Sequence, residues 1–68
     1  MTNEEQIRKY SLKELRARKN ETQQQTAVAV GVTYQTYSAW ERDPSNVGIS
    51  KMYALAVHFG VTLDEIEF

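Results

Sequence analysis

The sequence predicts an all-α domain, and three observations carry that expectation. Ser or Thr is followed three positions later by Glu or Gln at Ser11–Glu14, Thr22–Gln25 and Thr62–Glu65. This is the reciprocal capping pattern of a helix start. Apolar residues recur at spacings of three and four rather than two. Gly31 and Gly60 fall just past two of the apolar stripes, where a left-handed residue ends a helix. Val28 to Val32 and Val57 to Val61 have some β-propensity, but each lies in a helical stripe broken by glycine.

Residues 1–10 read as a flexible, polar N-terminal arm whose apolar handles are Ile7 and Tyr10, and residues 11–68 read as the domain. Ser11 caps a first helix that runs to about Lys19 on Leu12, Leu15 and Ala17, with Asn20 as its stop. Thr22 opens a second helix holding Ala27, Val28, Ala29 and Val30, closed by Gly31. Thr33 caps a third, Tyr34 to about Arg42, with Tyr37 and Trp40 on one face. Asp43-Pro44-Ser45-Asn46 is a turn by composition. Ile49, Met52, Leu55, Ala56 and Phe59 mark a fourth helix closed by Gly60, and Thr62 starts a fifth that carries Leu63 and Ile66. The expected architecture is thus a compact bundle of five short helices.

Composition narrows the function. A 68-residue chain buries about 60% of the surface that its unfolded form exposes, so one economical core is all it can build. There is no cysteine and one histidine, which leaves no disulfide framework and no metal site. No nucleophile–base pair or phosphate-cradling loop occurs, so neither catalysis nor a cofactor is expected. No apolar run approaches the ~18 residues of a membrane span and no signal segment opens the chain, so the expected location is the cytoplasm, at the nucleoid, with no membrane partner. The formal net charge of −1 argues against a strongly basic nucleic-acid binder. Charge is nonetheless graded. Residues 1–21 carry six positives against four negatives, whereas residues 43–68 carry Lys51 against Asp43, Asp64, Glu65 and Glu67. A mildly basic front is compatible with one face meeting phosphates.

The informative stretch is Thr22 to Glu41, two helices joined by about three residues beginning at Gly31. Small Ala27 allows close approach and Val32 plugs the corner, which is the physical description of a helix-turn-helix. A structural corner in an all-α bundle would share that spacing. The third helix separates the two readings: its outward residues Tyr34, Gln35, Ser38 and Ala39 are uncharged, whereas a solvated face carries Lys, Glu or Arg. Glutamine suits adenine, hydroxyls suit several bases, and an alanine or threonine methyl suits thymine. The competing meanings are an exposed face without a partner and a face that meets protein.

Taken with Leu15-Arg16, Trp40-Glu41, Leu55-Ala56 and Gly60-Val61-Thr62-Leu63-Asp64-Glu65-Ile66, the chain resembles the phage Cro and lambda-repressor family of helix-turn-helix DNA-binding domains. That family includes the bacterial regulators of xenobiotic-response-element type, and the likeness spans about residues 11 to 67. It implies that Gln23 meets a phosphate through its side chain and backbone N–H. It places Thr33, Tyr34, Gln35, Thr36 and Ser38 on recognition-helix positions facing bases and flanking phosphates. Ala39 falls where some relatives carry a longer base-reading side chain. Arg42 to Asn46, with Ser45, match a loop along the DNA backbone, and Arg16 with Glu41 match an ion pair that locks the first helix to the recognition helix. The chain departs from the family at Thr26, where leucine is usual and whose presence thins the core. It departs also at Asp43 in place of glycine, which puts a negative charge near the phosphate path, and at Val47 in place of proline.

Other residues carry blander expectations. Trp40, spaced helically with Tyr37, reads as core rather than as a base-stacking side chain; His58 reads as an ordinary surface residue of the fourth helix. Asp64, Glu65 and Glu67 fit the dipole of a helix start. The expected partner is double-stranded operator DNA, bound by a phage- or mobile-element-derived repressor-like regulator. A weak homodimer through Leu63, Ile66 and Phe68 is expected, because one copy covers one half-site; the alternative for Ile66 and Phe68 is that they cover the domain's own core. The rival is an antirepressor-like module that uses the fold to bind a repressor or another protein.

Overall fold

The computed structural model of the chain describes residues 8–68, so the arm expectation for residues 1–7 lies outside the described residues. Four α-helices follow in order: α1 (Leu12–Arg18), α2 (Gln23–Val30), α3 (Tyr34–Arg42) and α4 (Ile49–Phe59). Their starts are set by local chemistry. The Ser11 hydroxyl accepts the Glu14 N–H at 3.0 Å while the Glu14 carboxylate accepts the Ser11 N–H at 2.8 Å. Thr22 and Gln25 repeat this at 3.1 and 2.8 Å. Thr33 accepts the Thr36 N–H at 3.2 Å without the reciprocal half, and α4 starts at Gly48 with no side-chain cap. Gly31 (φ +78°) and Gly60 (φ +71°) end α2 and α4 in the left-handed region that their lack of a Cβ permits.

The fifth helix is not present. Residues Leu63–Glu65 form one 3-10 turn, and a second spans Pro44–Asn46. The physical reason lies just beyond, at Ile66, whose backbone is extended (φ −109°, ψ 134°) and pairs in parallel with Tyr10. Tyr10 N–H donates to the Glu65 carbonyl at 2.8 Å, and Glu67 N–H donates to the Tyr10 carbonyl at 2.9 Å. A helix continuing through Ile66 would lose both bonds. Tyr10, at the end of the expected arm, is therefore tied to the C-terminal segment, and the Arg18 guanidinium lies 4.8 Å from its ring centre.

The core holds Leu12, Leu15, Ala27, Val30, Tyr37, Trp40, Val47, Leu55, Ala56 and Ile66. Tyr37 and Trp40 meet edge to face at 6.3 Å between ring centres. Three sequence expectations change here. Ala17 and Ile49 lie on the apolar stripes but are exposed, Ile49 by 71%, whereas Val47, just before α4, is buried in the core. Ile66 is 2% exposed and its neighbours Leu63 and Phe68 pack against the same core, so the C-terminal apolar surplus covers the domain itself. Thr26 is fully buried, and its hydroxyl donates to the Glu21 carboxylate at 2.7 Å, which satisfies the polar atom that replaces leucine's carbons. No described helix is long and apolar enough to cross a membrane.

Ile66 thus carries packing rather than self-association. Ile66→Ala should lower the unfolding free energy by about 2–5 kcal/mol, as measured by urea denaturation. A loss well under that range would place Ile66 outside the core.

Candidate nucleic-acid interface

The site is built around one carboxylate. Glu41, in the last turn of α3, has a side chain 6% exposed and accepts Arg16 Nε at 2.6 Å and Arg16 Nη2 at 3.2 Å. It also accepts the Gln23 amide at 2.8 Å. The other Arg16 nitrogen, Nη1, donates to the Glu21 carbonyl at 2.9 Å. One guanidinium therefore joins α1, the loop before α2 and the end of α3, and Gln23 adds the first turn of α2. Planar, two-pronged recognition of a carboxylate is what arginine supplies and lysine does not.

The electrostatics follow from that geometry. Burial pushes the Glu41 carboxyl up, but hydrogen bonds from Arg16 and then Gln23 outweigh it and leave it below its ordinary value. The Glu41 hydrogen bond in turn holds the Arg16 guanidinium more firmly protonated. The Tyr37 hydroxyl is buried beside this pair and has no partner within hydrogen-bond geometry. Burial above all, and then the adjacent carboxylate, push its phenol up.

A second carboxylate does similar work on the opposite flank. Glu21 accepts the Thr26 hydroxyl and pairs with His58 Nε2 of α4 at 2.7 Å, both on Oε1. Burial raises its pKa, yet His58 and Thr26 together bring it below the ordinary value. His58 is accordingly a bonded, half-buried residue rather than an ordinary surface one. No local pattern signals this, since its partner lies 37 positions away. Lys51 was also missed: its ammonium donates to the Val30 carbonyl at 2.8 Å, closing the C-terminus of α2, where a cation is favoured.

The candidate contact residues fall into two groups. The first is engaged within the chain. Gln23 spends one amide N–H on Glu41 and retains the other. Thr33 and Thr36 bond each other's hydroxyls at 3.0 Å, and Arg42 Nη1 lies back on the Ser38 hydroxyl at 3.2 Å. Ser45 and Asn46 turn onto Asp43, whose carboxylate accepts the Ser45 hydroxyl at 2.6 Å and the Asn46 amide at 3.5 Å. Asp43 thereby caps the Pro44–Asn46 turn, a local duty for the charge that departs from the family pattern. The second group is exposed: Tyr34 (46%) and Gln35 project from the first turn of α3, with half-buried Ala39 farther along the helix.

The turn itself is Gly31-Val32-Thr33, with Val32 N–H bonded to the Ala27 carbonyl at 2.9 Å and Ala27 fully buried between the helices. The family model described as helix-turn-helix matches residues 12–66. No curated protein and no solved structure matches the chain.

Removing either partner of the clamp strands a buried charge, which costs about 3–5 kcal/mol. Arg16→Ala and Glu41→Ala should each lose that much, and the double variant clearly less than their sum; small, additive losses in thermal denaturation would show an uncoupled pair. Tyr37→Phe removes a hydroxyl whose unpaired burial costs about 1–3 kcal/mol, so its melting temperature should hold or rise. Acidification supplies a further check. Glu21 and Glu41 titrate lower folded than unfolded, so their contribution is complete above the unfolded value of 4.5 and vanishes as pH falls through the lower folded values. Unfolding free energy should drop below about pH 4.5, and Glu41→Gln should flatten that drop.

Proposed function

Because the chain belongs to the helix-turn-helix family of lambda-repressor and xenobiotic-response-element type, we propose that it reads operator DNA in the major groove with the exposed face of α3. It is a DNA-binding transcription regulator of that type, and double-stranded DNA is its partner. The single observation carrying the reading is the contrast along α3. Glu41 at one end is fixed by two other elements, while Tyr34 and Gln35 at the other end are exposed.

A helix start in the major groove places its first residues against base edges. In this reading Gln35 reads a base, Tyr34 contacts a base or phosphate, and Ser38 and Ala39 line the neighbouring groove wall. Gln23 meets a phosphate with its remaining amide hydrogen and the N–H groups at the start of α2. Arg42 swings from Ser38 to the backbone, and the Pro44–Asn46 turn runs beside it, with Ser45 and Asn46 held by Asp43. Thr33 and Thr36 contribute methyls, their hydroxyls being engaged as the cap. The regulator acts in the cytoplasm at the nucleoid, as a Cro- or repressor-like factor of a phage or mobile element, binding a two-fold operator as a weak dimer. Regulation comes from occupancy and requires no reaction.

A second reading, an antirepressor-like module gripping a repressor, is favoured by one observation. Between residues 22 and 47 the charges are Glu41, Arg42 and Asp43, so the reading face has little attraction for phosphate.

Gln35→Ala should lose about 1–3 kcal/mol of specific binding and relax discrimination at one base pair, with stability unchanged. Fluorescence anisotropy on selected and scrambled duplexes reads this, and equal weakening on both would reassign Gln35 to phosphate or protein. A salt titration separates the rival, since phosphate contacts impose a linear fall of log affinity with log salt. Affinity for a protein partner that ignores salt, with none for any duplex, would establish the second reading.

A further inference from the structure

His58 and Glu21 join the C-terminal end of α4 to the loop that opens α2. His58 Nε2 lies 2.7 Å from Glu21 Oε1, with 18% and 19% of the two side chains exposed. The same oxygen accepts the hydroxyl of fully buried Thr26 at 2.7 Å. The Glu21 carbonyl takes Arg16 Nη1 at 2.9 Å. Thr22, the next residue, caps α2, and Gln23 after it holds Glu41. Glu21 is thus fastened by three partners directly before the helix start offered to phosphate. His58 is the chain's one histidine. Histidine is the side chain whose charge changes between about pH 5 and 8.

We propose that His58 is a positioning residue for DNA reading, a proton-sensitive seat for the start of α2 that tightens the hold on DNA as pH falls from about 8 to about 6. It rests on that function and adds control of the same site. With its second proton the ring donates a charged N–H to the carboxylate, and charge-assisted bonds are roughly twice as strong as neutral ones. A neutral ring either donates an uncharged N–H from Nε2 or turns a lone pair toward Glu21 Oε1. The carboxylate, mostly withdrawn from water, then leans on the Thr26 hydroxyl, and the loop loosens toward solvent. The first N–H groups of α2 lose their register with it. The surroundings leave the histidine as the element that changes. Helix α2 carries no charged residue, Lys19 acts on Glu21 from the α1 side, and Arg16 is matched by Glu41 of α3. Lys51 of α4 is turned onto the Val30 carbonyl. Lysine and arginine keep their charge throughout this range. His58 also stands in the last turn of α4, where a cation is favoured.

Affinity for a duplex selected from a random-sequence pool should rise about fivefold from pH 8 to pH 6, at the low end of coupled sites. His58→Gln keeps a polar side chain without a titrating proton and should show no rise. Glu21→Gln keeps the histidine, removes the charge it answers to, and should be equally flat. Melting curves at both pH values establish that each variant is folded during the binding measurement. A rise that persists in Glu21→Gln would come from imidazolium charge acting on DNA directly, and overturns the proposal. Coupling between proton and DNA is reciprocal, which gives a test without substitution. The His58 ring resonances should titrate at higher pH in the DNA complex than in the free chain, and an unchanged midpoint overturns the proposal. In the free chain the amide resonances of residues 22–25 should follow the same titration, and in Glu21→Gln they should not. DNA binding with those amides unmoved strikes the switch and leaves the reading function standing. Amides that titrate in a chain binding no duplex defeat the reading function, and the control of DNA with it.

Discussion

The buried Glu41 carboxylate constrains the rest of this domain. It accepts three hydrogen bonds from residues that belong to α1 and α2, so the direction of α3 is fixed from both neighbouring helices at once. Apolar packing alone would do this poorly in so short a chain. The α3 contribution to the core is two aromatic rings, and a two-ring contact tolerates rotation that a two-pronged guanidinium–carboxylate pair does not. The cost is visible next to the pair, where the Tyr37 hydroxyl is left without a partner. Desolvating a charge pair seldom adds net stability over apolar residues of like volume. The pair is better understood as setting geometry.

Glu21 applies the same logic on the other flank. Its backbone carbonyl receives Arg16, and its carboxylate receives Thr26 of α2 and His58 of α4. The loop between α1 and α2 is thus the point from which both clamps extend. This also explains how a polar Thr26 survives at a fully buried position: its hydroxyl is a donor to a carboxylate that must be held there in any case.

The parts of the fold legible in the sequence were those set by local chemistry. Ser11, Thr22 and Thr33 name their helix starts because the bonds they make reach only three residues along the chain, and Gly31 and Gly60 name two ends for an equally local reason. Expectations failed where a distant partner decided. Ile66 leaves the helical path because Tyr10, far away in sequence, offers backbone bonds. His58 is bonded across 37 residues. For the site, the residue types were legible but their availability was not. Nothing in the local pattern says that Ser45 and Asn46 will fold onto Asp43, or that Arg42 will rest on Ser38.

That division of duty along α3 has a consequence for how such a domain changes specificity. Tyr37 and Trp40 are core and Glu41 is clamped, so these positions answer to stability. Thr33 is held by its cap and answers to the helix start. Tyr34 and Gln35 answer to neither, being exposed within the first helical turn after a rigid three-residue corner. Substitution at those two positions alters what the face presents without altering where the face points. Fixed backbone and free side chains are the combination that a reader of base edges needs, since hydrogen-bond discrimination depends on donors held in register with the groove. The clamp and the absence of charge on the outward face are therefore two sides of one arrangement: orientation is secured from behind by buried ions, which leaves the front to uncharged groups.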